Sequence, residues 1–290
     1  MKALGTLHLG FLGAGAIAEA LIRGLTSTGV AKPEQIHVTN RGNHVRLAEL
    51  QTRYGVNTYA LATDAFAHVD VILICTKPRD VPTALAYIAP FAPRDALYVS
   101  IAAGIDIATI EGALSQSKSG YEEPRKRIVR AMPNTSSIVL CSATGYALNH
   151  ACTPEDEAVV RTLLGAVGRA YPLEESLLNA VTGLSGSGPA YVYYLAEAMT
   201  QGGIDVGLDP HTATELVVET LFGAAQMLRE RVAPPATLRK QVTSPNGTTM
   251  AGLAVLDAYS FTDAVRSAIK RATERSAELG DALSRETRES

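Results

Sequence analysis

The sequence lacks a basic excess. Its 26 basic residues are outweighed by 29 acidic ones, for a formal net charge of −3, and that balance argues against nucleic acid as a partner, which would leave a basic footprint. A long apolar run is missing too. Stretches such as Val69–Thr76 are broken by charge or proline well short of the ~20 apolar residues that a membrane-spanning helix needs, so no bilayer crossing is expected. Met1–Thr6 holds one lysine and leads into strand-like Leu7–Leu12, without the basic start, apolar run and cleavage site of a secretory signal. Cysteine is scarce: Cys75, Cys141 and Cys152, odd in number and without CxxC spacing, read as free thiols in a reducing cytoplasm. The six histidines form no HxxxH or HExxH pair, which disfavours a metal site.

What is present is apolar bulk. With 47% hydrophobic and 19% charged residues over 290 positions, the chain is too apolar for disorder, and two domains are expected because single cores rarely grow past ~250 to 300 residues. The first half alternates short Val/Ile/Leu runs with helical stretches, the rhythm of a mostly parallel sheet covered by helices. Strands are expected at Leu7–Leu12, Ile36–Thr39, Val71–Cys75, Leu97–Ile101 and Ile128–Ala131, with further pieces at Ala143–Leu148 and Gly168–Tyr171. Helices are expected at Ala16–Leu25, Val45–Tyr54, after Pro78 with a late start or kink at Pro82, and from Thr153 and Pro154 onward. The charged segment Ser115–Arg127 reads as a solvated loop.

From Leu177 onward the rhythm turns helical, so an α/β Rossmann-like domain over 1–171 is expected to precede an all-α domain over 172–290. Val192, Leu195, Ala196 and Met199 share one helix face. The helix from Pro210 to about Arg231 is apolar nearly all round at Leu216–Ala225, more than a small helical domain encloses alone, and a partner chain is expected to cover it. A last helix is expected at Phe261–Leu279, with Ser284–Ser290 fraying.

Chemistry gathers at a few turns. Gly13-Ala14-Gly15-Ala16-Ile17-Ala18 follows the first strand and opens the first helix, as a dinucleotide-binding turn requires: Gly13 permits the tight turn, Gly15 lets a pyrophosphate approach, and the helix N-terminus supplies N–H donors. After the second strand the chain reads Thr39-Asn40-Arg41-Gly42-Asn43, without the carboxylate that would accept ribose hydroxyls in an NAD site. Arg41 suits a 2′-phosphate, so NADPH is favoured with NADH left open; a merely solvated Arg41 is the competing reading. Loops Cys75-Thr76-Lys77-Pro78 and Ile101-Ala102-Ala103-Gly104 follow two more strands and are expected to line the same crevice.

Two further motifs lie in the helical half. Ala180–Tyr191 puts a Gly/Ser loop ahead of a helix, where its serines cap the helix or its N–H groups meet an anion. In Gln241–Met250, Pro245, Asn246 and Gly247 allow a tight fold before a helix starting near Thr248, and N–H groups with the hydroxyls of Ser244, Thr248 and Thr249 make a cup for a small carboxylate. Neither motif holds His, Cys or Lys as a nucleophile, which suits hydride transfer.

RAMPNT at Arg130–Thr135, AVTGLSGSGPAY at Ala180–Tyr191 and QVTSPNGTTMAGL at Gln241–Leu253 resemble the signatures of pyrroline-5-carboxylate reductase, from about Leu9 to Leu279. The resemblance implies an oxidoreductase of proline biosynthesis that reduces 1-pyrroline-5-carboxylate to L-proline. It also implies a helical domain that interleaves with its twin, as a dimer or a ring of dimers. It places the cofactor on Leu12–Ile17 (Leu12, Gly13, Ala14, Gly15, Ala16, Ile17), Asn40, Thr76, Lys77, Pro78, Ala102, Ala103 and Gly104, with Asn134 near the nicotinamide. The substrate cup matches Ser244, Gly247, Thr248 and Thr249, while Glu175 and Gln241 align with further ligand contacts, to substrate and cofactor respectively. Thr249 is the implied catalytic residue, its hydroxyl bonding the ring nitrogen. Two departures stand out: Asn246 replaces the first of two glycines, and Ala62-Thr63 replaces an asparagine contact. The alternatives are a reductase of a related cyclic imine, a β-hydroxy acid dehydrogenase lacking its lysine motif, and an NADPH sensor without turnover.

Overall fold

The computed structural model describes residues 4–115 and 125–289. Strands β1 (Leu9–Leu12), β2 (Ile36–Thr39), β3 (Asn57–Tyr59), β4 (Val71–Ile74), β5 (Leu97–Ser100), β6 (Arg127–Met132), β7 (Ser142–Leu148) and β8 (Gly168–Pro172) form one sheet in the order β3-β2-β1-β4-β5-β6-β7-β8. All neighbours are parallel except β6 and β7. The four residues of β1, β4 and β5 are buried throughout, as strands covered on both faces must be.

Helices α1 (Ala16–Ser27), α2 (His44–Tyr54), α3 (Ala62–Phe66), α4 (Val81–Ile88), α5 (Ile107–Leu114) and α6 (Pro154–Gly165) supply that cover. One core joins Phe11, Leu73 and Val99 to Leu21 and Ile22 of α1 and Val160 and Leu164 of α6. The other joins Ile72, Ile74 and Tyr98 to Phe66, Leu85 and Ile110 of α3, α4 and α5. α1 lies close to the α6–β8 turn: a Cβ on Gly24 would stand 2.5 Å from the Ala166 carbonyl oxygen. Pro82 sits in the first turn of α4, after a 3₁₀ turn at Pro78–Asp80, where its missing N–H costs nothing.

The Gly/Ser motif differs from its expectation. It is no loop: α7 (Leu178–Val181) passes into a π-helical turn at Thr182–Gly186, closed by Ser187 N–H donating to Thr182 O at 2.8 Å, before α8 (Gly188–Asp205). Ser185 Oγ donates to Ala143 O and Val181 O, so it ties the turn to β7 instead of capping α8. Packing overrides the loop propensity of glycine and serine here.

Two compact units result, residues 1–187 with 271–290, and residues 188–270. The sheet itself ends at Pro172. The second unit holds α8, α9 (Pro210–Arg229), α10 (Pro235–Gln241), α11 (Thr248–Ala258) and the start of α12 (Phe261–Glu289). α8 meets α9 where a Cβ on Gly203 would stand 3.2 Å from Ala213 Cβ. Ala213 and Val217 are the unit's buried hydrophobics among the described residues, while Leu216 (53% exposed) and Phe222 (61%) lie open.

The C-terminal end departs from expectation. α12 runs on to Glu289, because Ala, Leu, Glu and Arg at 282–289 are strong helix formers with no breaker among them. Ser290 lies outside the described residues, as do 116–124 of the charged segment. Of the rest of that segment, Arg127 is not solvated: it opens β6 and pairs with buried Asp156 at 2.6 Å.

Candidate active site

The order β3-β2-β1-β4-β5-β6 reverses direction between β1 and β4, and a crevice of about 770 Å³ opens there at the strands' carboxyl ends. Leu12, Gly13, Ala14 and Gly15 form its floor, with Asn40 and Arg41 after β2 and Thr76 and Lys77 after β4. Gly13 adopts φ 112°, and a Cβ there would stand 2.7 Å from the Cys75 carbonyl oxygen, so the position admits only glycine. Its N–H donates to Thr39 O at 3.0 Å, joining the turn to β2. Gly15 caps α1 without a side-chain acceptor, leaving the first-turn N–H groups available to an anion.

Asn40 is committed locally. Its Oδ1 accepts from Gly42 N at 3.2 Å and Asn43 N at 3.1 Å, which shapes the loop that carries Arg41. Arg41 is exposed on the crevice and makes no hydrogen bond or ion pair among the described residues. Thr76 Oγ1 is buried and has no hydrogen-bond partner among the described residues. An orphaned hydroxyl in a crevice marks a place for a polar ligand group. A dinucleotide fits this donor set: a turn whose Gly13 has no room for a Cβ, an uncapped helix N-terminus and, among the described residues, an unpaired hydroxyl and a free guanidinium. Burial pushes the neighbouring Cys75 thiol up, so it stays protonated and unreactive.

The other expected cofactor residues are not among those that line the crevice. Ala16 opens α1, Ile17 packs half-buried against the core, and Pro78 starts the 3₁₀ turn. Ala102 is buried, Ala103 is exposed, and Gly104 takes φ 75° beside α12, where a Cβ on Gly280 would stand 3.1 Å from the Gly104 carbonyl oxygen. Asn134 spends its side chain on structure: Oδ1 accepts from Ser136 N at 3.1 Å and Nδ2 donates to Ser185 O at 2.9 Å, clamping the end of β6 to the π-turn. Glu175 Oε1 accepts from Ile107 N at 2.8 Å and faces Arg130 Nη1 at 3.4 Å, which ties it to the start of α5. Gln241 ends α10 in the helical unit, exposed. Sequence reasoning missed Leu61, Thr83, Ala84 and Tyr87, which form an apolar wall of the crevice. Their signal was weak, since Leu61 only precedes the short α3 and α4 reads as an ordinary covering helix.

In the helical unit, Asn246 holds φ 58°, so the departure from glycine is absorbed by a residue that tolerates left-handed torsions. Gly247 caps α11, and a Cβ there would stand 2.2 Å from Ser244 Oγ. One expected donor is spent: Gly247 N–H donates to Ser244 O at 3.1 Å to close the turn. Thr248 and Thr249 occupy the first turn of α11, where N–H groups have no intrahelical acceptor and stand available to an anion.

The comparisons with known proteins agree on both halves. Residues 175–279 match the family model for pyrroline-5-carboxylate reductase dimerisation, and residues 8–104 match that for NADP oxidoreductase, coenzyme F420-dependent. A Bacillus subtilis protein named pyrroline-5-carboxylate reductase 2 is 40% identical over 271 residues, covering 93% of this chain and 94% of that one. The chain belongs to the pyrroline-5-carboxylate reductase family. A family structure from Coxiella burnetii superposes with a TM-score of 0.87 at 30% identity, covering 95% of this chain and 99% of that one. Another, from Plasmodium falciparum and described with NADP bound, gives 0.83 at 26% identity over 96% of this chain and all of that one. Family membership makes the chain an NAD(P)H-dependent oxidoreductase that self-associates through its dimerisation domain.

Proposed function

We propose that the protein catalyses the last step of proline biosynthesis, reducing 1-pyrroline-5-carboxylate to L-proline with NADPH as the preferred donor, in the cytoplasm. Residues 1–171 serve as the dinucleotide-binding domain and 172–290 as the substrate-binding and dimerisation domain. Membership of a family whose curated members carry this name over nearly their whole length supports the reaction. The single observation that ties it to this chain's chemistry is the turn at Ser244–Thr249, closed by Gly247 N–H donating to Ser244 O and ending on two threonines at an uncapped helix start.

The bound nicotinamide would supply a hydride to the imine carbon. Everything else falls to the chain. Thr248 and Thr249 N–H groups receive the substrate carboxylate and the Thr249 hydroxyl hydrogen-bonds the ring nitrogen, which takes a proton from solvent as the C=N bond becomes a C–N single bond. Holding the imine carbon in place is the main contribution, since orientation alone removes much of a bimolecular barrier. Arg41 answers the 2′-phosphate, Thr76 takes up a polar group of the cofactor, and the wall of Leu61 and Tyr87 suits the adenine. Among the described residues no helix is long and apolar enough to cross a membrane.

The test follows NADPH absorbance with 1-pyrroline-5-carboxylate, beside the six-membered homologue and beside NADH. Fastest turnover with the five-membered ring and NADPH supports the reading. Faster turnover of the six-membered ring would assign a different cyclic imine, and NADPH binding without turnover a sensor.

A further inference from the structure

Behind the dinucleotide turn lies a cluster of charges that the motifs did not single out. Glu19 stands in the first turn of α1, the helix whose N-terminus opens on the crevice. A bare carboxylate there would offset the positive potential of the helix N-terminus and repel the phosphates of a dinucleotide. It is not bare. Glu19 Oε2 pairs with Arg46 Nη2, while Oε1 accepts from Arg53 Nη1 at 2.7 Å and from the Tyr54 hydroxyl at 3.0 Å.

Arg46 is the hub. From α2 it also reaches Glu49 at 3.1 Å, and its Nε donates to the carbonyl of Ala14 at 3.1 Å. Ala14 lies between the two glycines of the turn and lines the crevice. The cluster sets two guanidinium groups, Arg46 and Arg53, against two carboxylates, Glu19 and Glu49, so its charges cancel. The pairing also holds the Glu19 carboxyl below the usual carboxylate range, Arg46 being the largest cause, so Glu19 stays ionised and its charge must be offset by neighbours.

We infer that Arg46 is a positioning residue for the cofactor: it masks the charge of Glu19 beneath the phosphate-binding turn and fixes the Ala14 carbonyl. The inference rests on the crevice being the NADPH site. Loss of Arg46 leaves Glu19 to Arg53 and Tyr54 alone and the cluster with one excess negative charge beneath the turn, and loss of Glu19 as well restores the balance.

The experiment titrates NADPH by fluorescence into the full chain as wild type, Arg46→Gln, Glu19→Gln and the double variant, with melting temperatures alongside. Arg46→Gln should weaken binding about tenfold, equivalent to ~1.4 kcal/mol, the double variant should return to within about threefold of wild type, and Glu19→Gln should bind as tightly as wild type or tighter. The loss should fall on KM for NADPH more than on kcat. Arg46→Lys, which keeps the charge, should retain most of the affinity and guards against a folding defect in Arg46→Gln. Equal weakening by Glu19→Gln and Arg46→Gln, or a double variant no better than Arg46→Gln, would show a merely structural network and overturn the inference. Failure of the wild type to bind NADPH would instead remove the cofactor reading itself.

Discussion

At position 247 a Cβ would stand 2.2 Å from the Ser244 hydroxyl and 3.1 Å from the Ser244 carbonyl oxygen, so a side chain enters only if the serine hydroxyl gives way. Gly247→Ala should therefore push the serine out of the cup and raise KM for the imine by about tenfold, the scale of one good hydrogen bond. Thr249→Ala should lower kcat/KM by roughly tenfold or more for the same reason, and wild-type kinetics in that variant would remove Thr249 from the mechanism. Cofactor choice also rests on one residue. Arg41 has no partner among the described residues, so Arg41→Ser should cost no internal contact. NADPH affinity should fall about tenfold or more while NADH affinity holds, since only the 2′-phosphate loses a charge-assisted bond. Equal losses with both donors would return Arg41 to the status of a surface arginine.

The strands and helices that carry the crevice were legible in the residues, because parallel strands buried on both faces are continuous Val/Ile/Leu runs and α1 follows directly on a glycine turn. What stayed hidden has physical causes. β3 is three half-buried residues, Asn57–Tyr59, at the sheet edge, with no apolar run to reveal it. The π-turn at Thr182–Gly186 reads as a loop because its two glycines and its serine disfavour a helix in isolation, and its bonds to β7 and Asn134 add to its own local ones in holding it. Long-range pairing was invisible too, as in the ladder from the residue before β1 across β2 to β3, where His8 Nδ1 meets His37 Nε2 at 3.0 Å and His37 Nδ1 meets the Tyr59 hydroxyl at 3.1 Å. Desolvation first, then the charges of His8 and His68, hold the His37 imidazole below its ordinary value. The unfolded chain therefore takes up a proton near pH ~6.5 that the folded chain refuses, so stability is full above that pH and falls as pH drops through it. Melting curves should shift down between about pH 7.5 and 5.5, and His37→Gln should flatten that dependence; an unchanged slope would contradict it.

At the scale of the whole molecule, the apolar bulk of the sequence is divided between two sheet-flanking cores and helices that a single chain leaves uncovered. Val192, Tyr194, Leu216, Val218 and Phe222 of α8 and α9 are all exposed. The dimerisation domain accounts for that surface, and light scattering should give at least twice the single-chain mass at micromolar concentration. Phe222→Glu should shift the chain toward monomer, because burying an unpaired carboxylate costs several kcal/mol; a monomeric wild type would contradict the assembly. The central claim is that crevice and cup serve one reaction, and product stoichiometry tests it most directly. Purified protein incubated with NADPH and 1-pyrroline-5-carboxylate should yield L-proline mole for mole with NADPH consumed. NADPH consumption without proline, or no consumption by a chain that binds both ligands, would contradict it.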